Sequence, residues 1–124
     1  MDVRAKTFVA ETGRRFGFLA RDYGFNGPEV TGAEDEYPLM RTVCYRRGGL
    51  EVEISLVLAY AGEEYVSTLV TRDDDAGPAR HESGRAAAHT GYQMRRALDH
   101  QAEVTLALIT RMVPGHRRAE LPFA

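Results

Sequence analysis

The stretch from Leu50 to Tyr60, LEVEISLVLAY, is the feature of this sequence that most constrains the fold. Its apolar residues alternate with Glu51, Glu53, Ser55, Val57 and Ala59. The alternating apolar positions are Leu50, Val52, Ile54, Leu56 and Leu58. A period of two predicts a β-strand over residues 50–60 with one buried face. Because turn residues flank it, at Gly48-Gly49 and at 61–63, we expect this strand to be the middle of a three-stranded antiparallel meander.

The neighbouring strands of this meander are predicted at residues 39–47 and 64–72. A two-residue turn at Gly48-Gly49 places Tyr45 opposite Val52 on the core face and Arg46 opposite Glu51 on the other face. The same register turns Arg41 toward the core, opposite Leu56. An arginine does not suit that position, and it is the one misfit in the pattern.

Two helices are predicted from apolar residues that recur every three or four positions. The first runs from 3 to 23 and stops at Gly24, which suits a left-handed cap. The second runs from 91 to 113, with Thr90 as its N-cap and Pro114-Gly115 as its stop.

The remaining segments are assigned by composition. Residues 26–38 read as an acidic, exposed loop, and Asp73 to Pro78 is expected to end the sheet. An Ala-rich segment at 81–89 is predicted to form a short helix, and residues 114–124 form a tail.

Together these elements predict an α+β fold, a two-layer sandwich in which the N-terminal and C-terminal helices cover one face of the meander. A chain of 124 residues with 44% hydrophobic and 27% charged residues is typical of a single domain, here spanning 1–124. The first helix ends in Tyr23-Gly24-Phe25, and the hairpin 43–54 reads VCYRRGGLEVEI.

This arrangement resembles small bacterial αβββα orphan domains, including some immunity proteins of polymorphic toxin systems. The resemblance covers about residues 1 to 72 and lies in core spacing and turns. It implies an α+β fold and an inhibitory, protein-binding role, and it supplies no site residues.

Charge and cysteine content exclude several classes of function. The net charge of −2 and the pI near 6.1 disfavour nucleic acid and anionic membranes as partners. Cys44 is the only cysteine, which precludes an intramolecular disulfide. We expect a bacterial cytoplasmic protein, because no apolar run resembles a signal peptide or spans a bilayer.

No motif for catalysis, metal binding or cofactor binding stands out. The four histidines are separated by eight, eleven and sixteen residues, which fits no zinc motif. The run Asp73 to Asp75 lacks the spacing of a calcium loop. Cys44 lies in a strand without a neighbouring histidine, and Glu51 and Glu53 share a sheet face as solvated strands often do. We expect no cofactor and no metal, and we favour a non-enzymatic role.

Two functions remain open. The first is a non-catalytic interaction module, an inhibitor or immunity protein, because residues 1–75 hold fourteen acidic and nine basic side chains. Its expected surface for a basic protein partner consists of Glu34, Asp35, Glu36, Glu63, Glu64, Asp73, Asp74 and Asp75. The alternative is a small-ligand-binding or enzymatic domain with a pocket lined by Arg41, Tyr45 and Tyr92. A homodimer is also expected, since the second half of the last helix is widely apolar.

Overall fold

The computed structural model describes residues 3–33, 39–58, 64–74 and 77–113, and within them it shows helices at both ends of the chain and one antiparallel sheet. The elements are α1 Val3–Phe16, α2 Phe18–Tyr23, β1 Asn26–Ala33, β2 Leu39–Arg47, β3 Leu50–Leu58, β4 Glu64–Asp74, β5 Gly77–Ala87 and α3 Gly91–Met112. The five strands are neighbours in the order β1-β2-β3-β4-β5. The α+β class is therefore confirmed, whereas the meander has five strands and not three.

The core lies between the helices and the face of the sheet that carries the apolar residues of β3. Val52, Ile54 and Leu56 are at most 1% exposed, and they join Phe8 of α1 and Leu98 of α3 in one cluster. Full burial of one such side chain contributes about 1.5–3 kcal/mol. The alternation in residues 50–58 thus acts as the sequence predicts: alternate positions are buried.

The hairpin of β2 and β3 has the predicted register. Tyr45 pairs with Val52, and Arg46 pairs with Glu51. Arg41 lies opposite Leu56 on the core face and is only 7% exposed. The two-residue turn therefore decided the register correctly.

The N-terminal helix predicted over 3–23 is present but bent, because it is divided at Gly17 into α1 and α2. Glycine has the lowest helix propensity after proline, so an interior glycine is a natural place for a break. The predicted end is correct: Gly24 has a φ of 71° and the backbone N–H of Phe25 donates to the carbonyl of Leu19 at 3.0 Å. The backbone N–H of Gly24 donates to the same carbonyl, so both bonds close the helix end around a left-handed glycine.

Residues 26–33 form the edge strand β1, which corrects the predicted loop over 26–38. The glycines and the proline of this segment have low strand propensity, which hid the strand from sequence reasoning. Gly27 and Gly32 have φ values of 131° and 144°, and a Cβ at Gly32 would clash with the carbonyl oxygen of Met40. Glycine therefore permits the close approach of β1 to β2. Residues 34–38 lie outside the described residues.

A long hairpin replaces the predicted end of the sheet and the predicted helix at 81–89. β4 continues to Asp74, beyond the predicted boundary at residue 72, and Asp73 pairs with Pro78 of β5. Alanine, arginine and glutamate favour a helix locally, but pairing with β4 overrides that preference. The acidic segment after residue 72 thus leads into another strand.

Gln101 of α3 completes the hydrogen bonding of a β-bulge in this hairpin. The pairing of β4 with β5 shifts between Val66 and Thr68. The amide nitrogen of Gln101 donates to the carbonyls of Val66 and Gly84 at 3.1 and 3.4 Å, and its oxygen accepts from Thr68 Oγ1 at 2.7 Å. Because Gln101 is 1% exposed, these bonds satisfy groups that water does not reach.

The helix α3 agrees closely with its prediction. It runs from Gly91 to Met112, and the backbone N–H of Gln93 donates to the Thr90 hydroxyl at 3.0 Å, an N-cap. β3 ends at Leu58, and the tail 114–124 lies outside the described residues. Among the described residues, no helix combines the length and the apolar character that crossing a membrane requires.

Candidate functional site

The candidate site is the face of the sheet that points away from the helices, here called the open face. It consists of Glu51, Glu53, Ser55 and Val57 of β3 together with the side chains paired with them across the neighbouring strands. All four β3 residues are partly exposed, in contrast to the buried residues that alternate with them. This face is therefore available for binding.

Three carboxylates line up across the sheet on the open face. Glu29 of β1 pairs with Cys44, which pairs with Glu53 of β3. Glu53 pairs with Leu69, which pairs with Glu82 of β5. Because adjacent strands are about 4.8 Å apart, the acidic residues follow one another at about 9.6 Å. We call Glu29, Glu53 and Glu82 the acidic row.

Cys44 lies within this row as a buried, neutral thiol. Its side chain donates a hydrogen bond from Sγ to Oε2 of Glu51 at 3.1 Å, and the residue is 4% exposed. Burial, and then the hydrogen bond to Glu51, raises the pKa of the thiol to about 12. A thiol that keeps its proton is a poor nucleophile, so Cys44 serves the face as a packed hydrogen-bond donor.

Glu53 stands apart from the other carboxylates of the face. Glu29 and Glu51 both pair with Arg46, at 2.5 and 3.1 Å, and Glu82 lies 3.9 Å from Arg80. Burial, followed by the neighbouring Glu51 carboxylate, raises the pKa of Glu53. Within the described part of the chain, no arginine or lysine forms an ion pair with Glu53. Its carboxylate lies at the centre of the row, is hydrogen-bonded to the Glu51 side chain and is close enough to Arg46 and Arg80 to be influenced by their charges.

The same side chains have some of the features of a metal site. The donor atoms of Cys44, Glu51 and Glu53 all lie within 4.8 Å of one another. However, Glu51 already accepts the hydrogen bond of the Cys44 thiol, which a metal would have to displace. Arg46 also already neutralises Glu51. The cluster therefore suits hydrogen bonding and ion pairing better than metal coordination.

The structure describes three of the eight acidic residues predicted to bind a partner, and only two of them with their side chains. Asp73 is exposed at the end of β4. Glu64 is part of the fold: it pairs with Arg4 of α1 and lies 3.3 Å from His89. Asp74 ends β4, and its side chain is not described. Glu34, Asp35, Glu36, Glu63 and Asp75 lie outside the described residues.

The residues of the predicted pocket do not come together. Arg41 and Tyr45 are buried on the core face of β2, and burial raises the pKa of Tyr45. Tyr92 is 62% exposed at the start of α3, where it lines a shallow depression with Ala86 and Arg96 next to β5. β2 and β5 are three strand spacings apart, about 14 Å. The structure thus gives these three residues no common cavity.

Charge divides the molecule into two sides. The helices α1 to α3 carry eight basic and four acidic side chains. The open face carries five carboxylates, on Glu29, Glu51, Glu53, Asp73 and Glu82, and three guanidinium groups, on Arg46, Arg80 and Arg85. The helical side is therefore basic and the open face is acidic.

Sequence reasoning found the centre of the acidic row but not its ends. The alternation of β3 placed Glu51 and Glu53 on one face. Glu29 was assigned to a loop and Glu82 to a helix, so neither was aligned with Glu53. The available signals were the short connections before β2 and after β4, which favour antiparallel neighbours.

Comparison with protein-family models, with curated proteins and with solved structures gives no match for this chain.

Proposed function

We propose that this protein is a non-catalytic protein-binding module whose open face binds a basic partner, as an inhibitor or immunity protein does. The observation that supports this proposal best is the acidic row at the centre of a sheet face that the helices leave uncovered. Glu53 supplies a carboxylate at the centre of this row that forms no direct ion pair with an arginine or lysine among the described residues. A binding surface of this kind needs no catalytic group, and a neutral, unreactive thiol at Cys44 is consistent with a non-catalytic role.

Electrostatics favours a basic partner. Complementary charge accelerates the encounter of two proteins and disfavours wrong partners. The basic helical side repels a cationic partner, and the acidic open face attracts it. This charge asymmetry orients the protein so that its open face meets the partner. We place this function in the cytoplasm of a bacterium, where the single cysteine remains a thiol.

The open face does not suit pairing with a second copy of itself. A two-fold axis along β3 would place Glu53 over Glu53 and Glu29 over Glu82, so like charges would meet. An axis across the strands would place charged residues over the apolar residues Met40, Val57 and Tyr65. Both arrangements bury charge without compensation, which favours a different chain as the partner. The proposed homodimer would instead use α3, where Leu106 is 41% exposed.

A triple charge reversal of the acidic row tests the proposal. Wild type and the variant Glu29→Lys/Glu53→Lys/Glu82→Lys are used to capture proteins from the source cells, and the affinity of the captured basic protein is measured by calorimetry. We expect the affinity to fall by more than a hundredfold, because charge pairs at interfaces contribute about 1.5 kcal/mol or more each.

The control reverses charge on the opposite side of the molecule. Lys6→Glu/Arg14→Glu changes two exposed residues of α1 and should leave the affinity unchanged. Circular dichroism verifies that both variants are folded. Equal affinity for wild type and the triple variant would contradict the proposal.

A further inference from the structure

We infer that the partner binds the open face through an amphipathic α-helix that crosses the strands and carries arginine or lysine every seven residues along one edge. This inference rests on the proposed function and specifies the partner. It is argued from the spacing of the acidic row and from the two rows of side chains that lie beside it.

The spacing of the carboxylates matches two turns of a helix. Glu29, Glu53 and Glu82 follow one another at about 9.6 Å, twice the separation of adjacent strands. An α-helix rises about 1.5 Å per residue, so positions seven apart lie about 10.5 Å apart on nearly the same side. In an extended strand, residues on one side are about 6.6 or 13 Å apart. A helix therefore presents cations to all three carboxylates, whereas a strand does not.

Beside the acidic row lies a row of small hydroxyl side chains. Thr31 pairs with Thr42, Thr42 with Ser55, and Ser55 with Ser67. Thr42 Oγ1 and Ser55 Oγ are hydrogen-bonded at 3.1 Å, which keeps these side chains low on the sheet. This hydroxyl row runs across β1 to β4, parallel to the acidic row.

Beyond the hydroxyl row lies a row of apolar side chains. Met40 pairs with Val57, and Val57 pairs with Tyr65. Met40 is 41% exposed, and the guanidinium of Arg85 lies 4.6 Å from the centroid of the Tyr65 ring. This apolar row is four residues along the strands from the acidic row, or about 13 Å. A helix about 10–12 Å across that packs on the hydroxyl row would reach the acidic row with one edge and the apolar row with the other.

The existing ion pairs of the row are weak enough to be exchanged. The side chains of Glu29 and Glu82 are 59% and 58% exposed, and each pairs with an exposed arginine. Such surface pairs contribute about 0–1 kcal/mol, so a cation of the partner replaces them at little cost. Glu53 has no ion pair within the described ranges to exchange. We therefore expect the middle cation of the partner helix, at Glu53, to contribute most.

Two synthetic helical peptides of identical composition test the inference. One carries arginines at positions i, i+7 and i+14 beside an apolar edge. The other carries them at i, i+5 and i+10, so that they point in different directions. Calorimetry at physiological salt should show about tenfold tighter binding of the first peptide. Glu53→Gln should abolish that preference, whereas Glu103→Gln on the exposed side of α3 should leave it intact.

The outcomes separate this inference from the proposed function. Equal affinity for the two peptides overturns the inference, and so does a preference that survives Glu53→Gln in a folded variant. If the captured basic protein still depends on the triple reversal of the acidic row, the proposed function stands while the helical partner is rejected. If that protein binds the reversed variant equally well, both are rejected.

Discussion

The two faces of the central strand β3 differ in burial and in the residues that they contact. On the inner face, Val52, Ile54 and Leu56 are at most 1% exposed and contact the helices. On the open face, Glu51, Glu53 and Ser55 are partly exposed and pair with residues of the neighbouring strands. The comparison shows that one strand specifies both the fold and the candidate binding surface. Burial of the inner face fixes the register of the strands. The same register aligns the side chains of the open face, which themselves contribute little to stability.

The largest expected effect concerns Cys44, which lies on the open face but is as buried as a core residue. Its pKa is raised from 9.0 to about 12, so at pH 8 the thiolate fraction is about a thousandfold lower than in the unfolded chain. The more basic thiolate is the better nucleophile, which offsets part of this difference, whereas burial restricts access to the sulfur, so we expect alkylation of the native protein to be slower by about a hundredfold. Reaction with a chromogenic thiol reagent, with and without denaturant, measures it. Similar rates in the two states would show that the open face does not shield the thiol.

The next effect separates the two faces directly. Ile54→Ala removes a fully buried side chain of the inner face and should lower the free energy of unfolding by about 3 kcal/mol. Ser55→Ala, the adjacent residue on the open face, should change it by only about 1 kcal/mol, because it loses a single hydrogen bond to Thr42. Urea denaturation of the two variants gives both values. Similar losses for both would mean that the open face is also part of the core.

A smaller effect is expected at the bulge between β4 and β5. Gln101→Leu removes the hydrogen bonds to Val66, Gly84 and Thr68 and should cost about 2 kcal/mol, because buried polar groups lose their partners. The matched control is Glu103→Leu, an exposed position two residues away on α3. Thermal unfolding of the two variants should show a clear loss for Gln101→Leu alone. An equal shift would contradict the role assigned to Gln101.

The smallest effect is the dependence of stability on pH at Glu53. Its pKa in the folded protein is raised above the ordinary value of 4.5, so the folded state holds this proton more tightly than the unfolded state. Stability from this group is therefore complete below pH 4.5 and declines as the pH rises through the folded pKa. Glu53→Gln should make the curve flatter between about pH 4 and 7. A steeper curve in the variant would reverse the sign of the predicted shift.

Sequence alone determined the part of the fold in which hydrophobic burial and turn chemistry agree. The alternation of Leu50 to Leu58 predicted β3, and Gly48-Gly49 fixed its register with β2. Periodicity and the cap at Thr90 predicted α3. These patterns are local, so they can be interpreted from a short stretch of sequence without knowledge of the remaining chain.

The edge strands were not predicted because their formation depends on pairing. β1 contains Gly27, Pro28 and Gly32, and β5 contains Gly84 within an Ala-rich segment. Neither has an alternating apolar pattern, because an edge strand buries little of its surface. The acidic row was missed for the same reason, since it joins residues of both edge strands to Glu53. Arg41, by contrast, was correctly predicted on the core face, but burial places it away from Tyr92.

Chemical-shift mapping of the open face tests the central claim most directly. A labelled sample is titrated with the peptide that carries arginines seven residues apart, and perturbed amides are assigned. The account predicts perturbations at residues 42–44, 53–55 and 67–69, which lie side by side on β2, β3 and β4, with α1 and α3 unchanged. Perturbations confined to α1 and α3, or none at concentrations where the peptide binds, would contradict the assignment of the open face as the binding surface.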